Sequence, residues 1–270
     1  MHFLSLSSLQ TKFSHKVVTV NQLFSNRIAV IDSGVGGLTI LGQLRRKYPF
    51  CNFVYLADNA FCPYGTKHPD EIVRRVQTIV DYLQDSGVCA VVLACNTASV
   101  YADIVRTSHS IPIYDVIVPT CKLVASTTYT KRIALLATNA TVNSGAYNNL
   151  LHTMGVAVVS FPCSSFVPFV EQNAVDSSEC EKAVRQTLKD LPRCQVDTVI
   201  LGCTHFPVLK NKIAPYANGA KIIECCTDFL PSFCGGQSPS KTLFLTTGVP
   251  KHVDLAAQWC ENARFFHVDV

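Results

Sequence analysis

Two apolar runs in this chain end on a cysteine, and the segments leading up to them keep nearly the same length. Ile28 precedes Cys95 by 67 residues, and Ile133 precedes Cys203 by 70. The intervals open on similar runs, Ile28-Ala29-Val30-Ile31-Asp32-Ser33 and Ile133-Ala134-Leu135-Leu136-Ala137-Thr138. They close on Val91-Val92-Leu93-Ala94-Cys95-Asn96-Thr97-Ala98 and Val199-Ile200-Leu201-Gly202-Cys203-Thr204-His205-Phe206. Short runs of β-branched residues and leucines bounded by small polar residues read as buried strands. Helical patterns lie between them, and strands alternating with helices build parallel sheets. The expected fold is therefore α/β: two similar open-sheet domains related by a pseudo-twofold axis. Open α/β sheets bind ligands beyond the carboxyl ends of their strands. Both cysteines occupy that position, so the active site is expected in the cleft between the domains.

The rest of the pattern is consistent with this duplication. The spacing predicts strands at Phe53–Leu56, Cys89–Leu93, Ile111–Tyr114 and Thr198–Leu201. A helix carrying Leu38, Leu41 and Leu44 stops before Pro49. Pro69–Gln84 keeps Ile72, Val73, Val76, Ile79, Val80 and Leu83 at helical spacing, and Gly87 closes it. Ser178 and Glu181 read as a capping box ahead of a helix that ends by Pro192.

Composition excludes several function classes. The net charge of +4 is scattered over short clusters such as Arg45-Arg46-Lys47, without the basic stripe that nucleic acid requires. No window approaches the roughly 20 apolar residues of a membrane span. Thirteen cysteines are an odd number, lack any C-x-x-C, and follow no secretory signal, which argues for free thiols in a reducing cytoplasm. No metal site is expected. Residues 1–26 are Ser-rich and weakly patterned and read as a loosely ordered extension.

Two thiols facing each other across a cleft suit removal of a proton from carbon on one face and its return on the other. A free cysteine titrates near ~8.5, close enough to neutrality to be tuned. Asp32 and His205 are the candidates for tuning, although a histidine beside a strand can equally be structural. Asn96, Thr97 and Thr204 are short donors beside the cysteines. Tyr64 and Gly65, in the turn Pro63-Tyr64-Gly65, offer backbone N–H groups to a ligand. The glycine-rich turn Asp32-Ser33-Gly34-Val35-Gly36-Gly37 lacks both dinucleotide and P-loop spacing, yet a turn at a helix start favours an anion such as a carboxylate.

Taken in order, these motifs resemble the glutamate racemases of the Asp/Glu racemase family. The resemblance rests on Asp32–Gly37, Asp58 with Cys62-Pro63-Tyr64-Gly65, Ala94–Ala98 and Gly202-Cys203-Thr204-His205-Phe206-Pro207. Lesser matches are Thr138 with Thr141, Ser144 and Tyr147, then Val167-Pro168-Phe169-Val170-Glu171, and Thr246-Thr247-Gly248. The resemblance implies a racemase that uses no cofactor, interconverts L- and D-glutamate, and supplies D-glutamate for peptidoglycan. It implies that Cys95 takes the α-proton from D-glutamate and Cys203 from L-glutamate, assisted by Asp32 and His205 respectively. Ser33, Pro63, Tyr64, Gly65, Asn96, Thr97, Thr141 and Thr204 would hold the substrate. It also implies a first domain of 27–118 completed by 228–270, and a second of 119–227. A homodimer and activation by a cell-wall precursor are compatible with it. Glu224-Cys225 departs from the Asp-Ser often found at the return crossing. The alternatives are a two-cysteine racemase for aspartate or another amino acid, a gyrase-binding side activity, and a cysteine hydrolase. The aspartate branch usually carries an acidic residue at the His205 position.

Overall fold

The computed structural model describes residues 23–228, 239–249 and 263–270. The first sheet begins with β1 (Arg27–Asp32), β2 (Asn52–Ala57), β3 (Ala90–Leu93) and β4 (Ile113–Asp115). The second is β5 (Arg132–Ala137), β6 (Ala157–Pro162), β7 (Thr198–Gly202) and β8 (Lys221–Ile223). Two later strands, β9 (Thr242–Thr246) and β10 (Phe265–His267), return to the first sheet beside β2. The strand orders are β10-β9-β2-β1-β3-β4 and β6-β5-β7-β8, and neighbouring strands among the described residues all run parallel. The order 2-1-3-4 in the first sheet is repeated as 6-5-7-8 in the second. In each sheet the chain leaves the first strand to one side, then returns to its other side. That reversal opens a crevice at the carboxyl ends of β1 and β3, and of β5 and β7.

Successive side chains of a strand point to opposite faces, and both faces of both sheets are packed. Ala29 and Ile31 enter one core while Ile28 and Val30 enter another. Ala134 and Leu136 are likewise separated from Ile133 and Leu135. Helices α1 (Leu38–Lys47), α2 (Pro69–Asp85), α3 (Asn96–Ser99) and α4 (Ala102–Ser108) follow the strands of the first sheet. Those of the second unit are α5 (Ile117–Thr127), α6 (Asn139–Asn143), α7 (Ala146–Thr153), α8 (Val167–Glu171) and α9 (Ser178–Leu188). The chain passes between cores at two points. Val116 packs with the first sheet and Ile117 with the second, while Ile223 packs with the second and Cys225 with the first.

Local signals explain the element ends. Helix α2 starts at Pro69, whose missing N–H costs nothing there. His68 accepts from the Asp70 N–H, and Glu71 returns a bond to the His68 N–H at 3.0 Å. The helix stops at Gly87, which adopts φ 93°, a region that penalises side chains. The expected box at Ser178 is corrected by one residue. Ser177 is the extended cap and its hydroxyl accepts from the Cys180 N–H at 3.2 Å. Two adjacent serines made the sequence pattern ambiguous. The third strand starts at Ala90 and the fourth at Ile113, just after Pro112.

At the N-terminal end, Phe24 is fully buried and meets Tyr82 edge-on at 6.3 Å, so ordered packing reaches back before Arg27. The rest of the expected extension, 1–22, lies outside the described residues, as do 229–238 and 250–262 of the expected 228–270 return. No helix among the described residues is long and apolar enough to cross a membrane.

A buried carboxylate organises the entry to the second sheet. Asp197 accepts from the N–H groups of Tyr129 and Thr130 at 2.7 and 2.6 Å, and from the Thr128 and Thr198 hydroxyls. Burial pushes its carboxyl up, but these donors outweigh burial and hold it well below the usual carboxylate range. Its stabilisation is therefore complete above the unfolded value near ~3.9 and is lost as pH falls through the lower folded value. Asp197→Ala is expected to cost about 1–3 kcal/mol at neutral pH by stranding those donors. In chemical denaturation the gap to wild type should narrow as pH drops below about 4.

Candidate active site

Strand β3 ends at Leu93, and Cys95 is the extended residue that opens α3. Its thiol lies 3.9 Å from the Ser33 hydroxyl. The thiol is pushed up to about 12, first by burial and then by the Asp32 carboxylate, against a hydrogen bond from the Ala98 N–H. Cys95 is therefore a neutral acid at physiological pH. Asp32 ends β1 and is fully buried. It accepts from the Gly34 N–H at 3.0 Å and from the Thr204 hydroxyl, on the opposite sheet, at 3.2 Å. Burial raises its carboxyl to about 6, although the facing His205 pulls it down. Asp32 thus acts on Cys95 through charge, its oxygens being engaged elsewhere.

Across the cavity, Cys203 follows β7, and its sulfur lies 3.6 Å from His205 Nδ1. The other ring nitrogen, Nε2, lies 2.5 Å from Glu171 Oε1. Burial disfavours a charged His205, but the bonds to Cys203 and Glu171 outweigh it and hold the imidazole well above its ordinary value. His205 thus bridges a carboxylate and a sulfur, surroundings that favour its protonated form. The two thiols therefore sit in unlike surroundings. They are near enough that charge on Cys203 also bears on Cys95.

One small cavity of about 80 Å³ joins the two halves. Among the residues expected to bind substrate, Ser33, Pro63, Tyr64, Gly65, Cys95, Asn96, Thr97, Cys203, Thr204 and His205 line it. Asp32 and Thr141 do not line it; both are buried behind its wall. Thr141 is held in a hydroxyl triangle, 3.3 Å from Thr97 and 3.0 Å from Thr138, that joins the two sheets. Tyr64 faces the cavity without its hydroxyl. That group donates to Asp58 at 2.8 Å, in a network with Arg75 and Thr247. The Asn96 side chain is also committed. Its Oδ1 accepts from the Tyr147 hydroxyl at 2.7 Å and its Nδ2 lies 3.2 Å from the Cys225 sulfur. Asn96 is thus left with its backbone to offer a ligand. A cavity this size fits a small molecule and excludes a polymer.

Sequence reasoning missed Thr66, Thr138, Ser164, Val167, Pro168 and Glu171 as site residues. The first five line the cavity, and Glu171 supports His205 from behind. Thr138, Val167, Pro168 and Glu171 lie in the matches quoted above, but nothing local assigns them to a cavity, and Thr66 and Ser164 carried no signal. Among the described residues, no group of three or more histidines, cysteines or carboxylates is placed to hold a metal ion.

A doubly wound α/β protein with one thiol from each sheet at a shared cavity is built for chemistry on a small molecule. Comparison with known proteins makes the class specific. The Asp/Glu/Hydantoin racemase family model matches residues 44–227, and the chain belongs to that family. It is similar to the glutamate racemase of Aquifex aeolicus, with 41% identity over 199 residues, 73% of this chain and 78% of that protein. The crystal structure of glutamate racemase isoform RacE1 from Bacillus anthracis superposes with a TM-score of 0.83 at 29% identity, covering 92% of this chain and 98% of that one. Escherichia coli glutamate racemase, solved with L-glutamate and the activator UDP-MurNAc-ala, gives 0.75 at 25% identity, covering 90% and 97%. The protein is accordingly an amino-acid racemase, an isomerase of the glutamate racemase type.

The committed Asn96 amide yields a test. Tyr147→Phe removes the donor to Asn96 Oδ1 inside a fully buried cluster and is expected to lower stability by about 1–2 kcal/mol. Thermal unfolding of the purified variant checks this.

Proposed function

We propose that this racemase interconverts L- and D-glutamate by passing the α-proton between Cys203 and Cys95. The observation that carries the reading is the unlike surroundings of the two thiols at one cavity: Cys203 against the His205 ring, Cys95 buried under the charge of Asp32. Stereoinversion needs one base and one acid at the same time, and the unequal environments supply both. With L-glutamate bound, the Cys203 thiolate takes the α-proton and becomes a thiol. Cys95 then gives its proton to the opposite face of the carbon and becomes the thiolate. D-glutamate runs the same steps in reverse, which makes Cys95 the base.

The difficult step is ionisation of a weakly acidic C–H bond. A small, mostly apolar cavity limits water, and donors around it would bear on the charge that develops at the substrate carboxylate. In this reading Ser33, Thr97, Thr204 and the backbone of Asn96, Tyr64 and Gly65, all of which line the cavity, hold the substrate. We further read the enzyme as a cytoplasmic supplier of D-glutamate for peptidoglycan. A cell-wall-precursor activator of the kind bound by the Escherichia coli relative would register as a rise in turnover when added to the assay.

Two measurements check the mechanism. Cys95→Ala and Cys203→Ala should each abolish racemisation, followed by circular dichroism of enantiopure glutamate without added cofactor. Full turnover by either variant refutes the two-thiol scheme. In heavy water the wild type should place deuterium at the α-carbon of the product. A second expectation concerns pH. Asp32, facing His205, Glu171, Cys95 and Cys62, gains a proton as pH falls through about 6, which weakens its hold on Thr204. Turnover should therefore fall on the acid side of about pH 6, and Asp32→Asn should remove that limb from the profile.

A further inference from the structure

The turn Asp32-Ser33-Gly34-Val35-Gly36-Gly37 carries three glycines, and none has a positive φ that would call for one. What each supplies is the absence of a Cβ. A Cβ on Gly37 would lie 2.4 Å from the Cβ of Asp32, so that glycine serves the turn itself. The other two serve the opposite sheet. A Cβ on Gly34 would lie 2.6 Å from Glu171 Oε1, and one on Gly36 would lie 2.8 Å from both Cε1 and Nδ1 of His205. The Gly36 position would also bring it 2.7 Å from the Thr204 hydroxyl. Glu171 Oε1 is the atom that holds His205 Nε2, and His205 Nδ1 is the atom that meets Cys203. The Gly34 N–H is already taken by Asp32, which argues against this turn as an anion cradle.

We propose that Gly34 and Gly36 are positioning residues of the Cys203 half-site, their missing methyl groups forming sockets for the Glu171 carboxylate and the His205 ring. The relay behind Cys203 is then complete only when the turn of the first sheet is seated against the second. The proposal rests on the reading of Cys203 as a proton-transferring group. It adds the fit of the first sheet's turn to the Cys203 and Glu171 bonds that set the state of His205. The ionisable groups facing His205 are Cys203 and Glu171 from its own sheet and Asp32 from the other.

Gly34→Ala is the sharper test, because its clash is with the far end of a flexible side chain. The His205 imidazole is followed by NMR titration of histidine-labelled, substrate-free protein, with its signal assigned from a His205→Ala spectrum. In Gly34→Ala the His205 midpoint should drop by at least one pH unit from its wild-type position. Glutamate turnover should fall roughly 10- to 100-fold, the scale expected from misplacing a catalytic group by about 1 Å, while KM changes less than threefold. In a Glu171→Ala background the same substitution should shift neither the midpoint nor turnover further, because the socket then has no occupant. An unchanged midpoint in Gly34→Ala, or an equal further shift without Glu171, overturns the proposal. Should Gly34→Ala not fold, recovered folding in the Glu171→Ala background supports the socket, and failure to recover overturns it. If Cys203→Ala racemises normally the two-thiol reading fails, while the substrate-free titration still decides the sockets.

Discussion

Charge taken out of water must be compensated by neighbours, and this constraint governs the seam between the two sheets. Asp32 is fully buried and His205 is 3% exposed, with Glu171 packed behind it. An unpaired buried charge would cost several kcal/mol. Asp32 finds part of its compensation across the seam, in the Thr204 hydroxyl and the charge of His205. His205 finds its own in Glu171 on one side and Cys203 on the other. The Thr39 hydroxyl adds a bond to the Thr204 carbonyl at 3.2 Å. Removing any one partner leaves the others buried and undercompensated, so the groups stand or fall as a set. The same condition that makes the seam costly makes it reactive, because desolvation is what moves Asp32 and Cys95 away from their ordinary values.

The scaffold provides this seam through its topology. A parallel strand can only be followed by a crossover, and crossovers gather loops at the strand ends. Because each sheet reverses its winding between its first and third strands in chain order, β1 with β3 and β5 with β7 leave paired loops on either side of a crevice. The sheet interiors need only apolar alternation to form. The loops are where small polar residues are tolerated, since they carry the hydrogen bonds that the strand ends leave open. The hydroxyl triangle of Thr97, Thr138 and Thr141 closes the seam on a second side.

Much of this was legible in the sequence because it is local. The strands follow from continuous apolar runs, the helical stripes from a period of 3.6 residues, and the positions of Cys95 and Cys203 from where two of those runs end. His205 was legible because it is two residues from Cys203. The hidden parts depend on contacts between distant segments. Glu171 is 34 residues from His205 and sits on a five-residue helix with no distinguishing period. Tyr147 and Cys225 reach Asn96 from elements 51 and 129 residues away. The Asn96 side chain was read as a donor to a ligand, yet both of its polar atoms are spent inside the protein. A residue type states what a side chain can do, and only packing states whether it is free to do it. The glycine turn shows the same limit, because its composition fits an anion cradle and a docking notch equally well.

The unlike surroundings of the thiols bear on how one site serves two mirror-image substrates. Equal environments would leave both sulfurs protonated or both charged, and neither state can take a proton on one face while giving one on the other. Here burial and Asp32 favour the neutral thiol at Cys95, while the surroundings of His205, beside Cys203, favour its protonated form. In the two-thiol scheme proposed above, one passage would leave the negative sulfur beside Asp32, the less favourable place for it. Recovery of the starting state would then require Cys203 to lose a proton and Cys95 to gain one, with no net uptake from solvent, which suits a cavity of about 80 Å³.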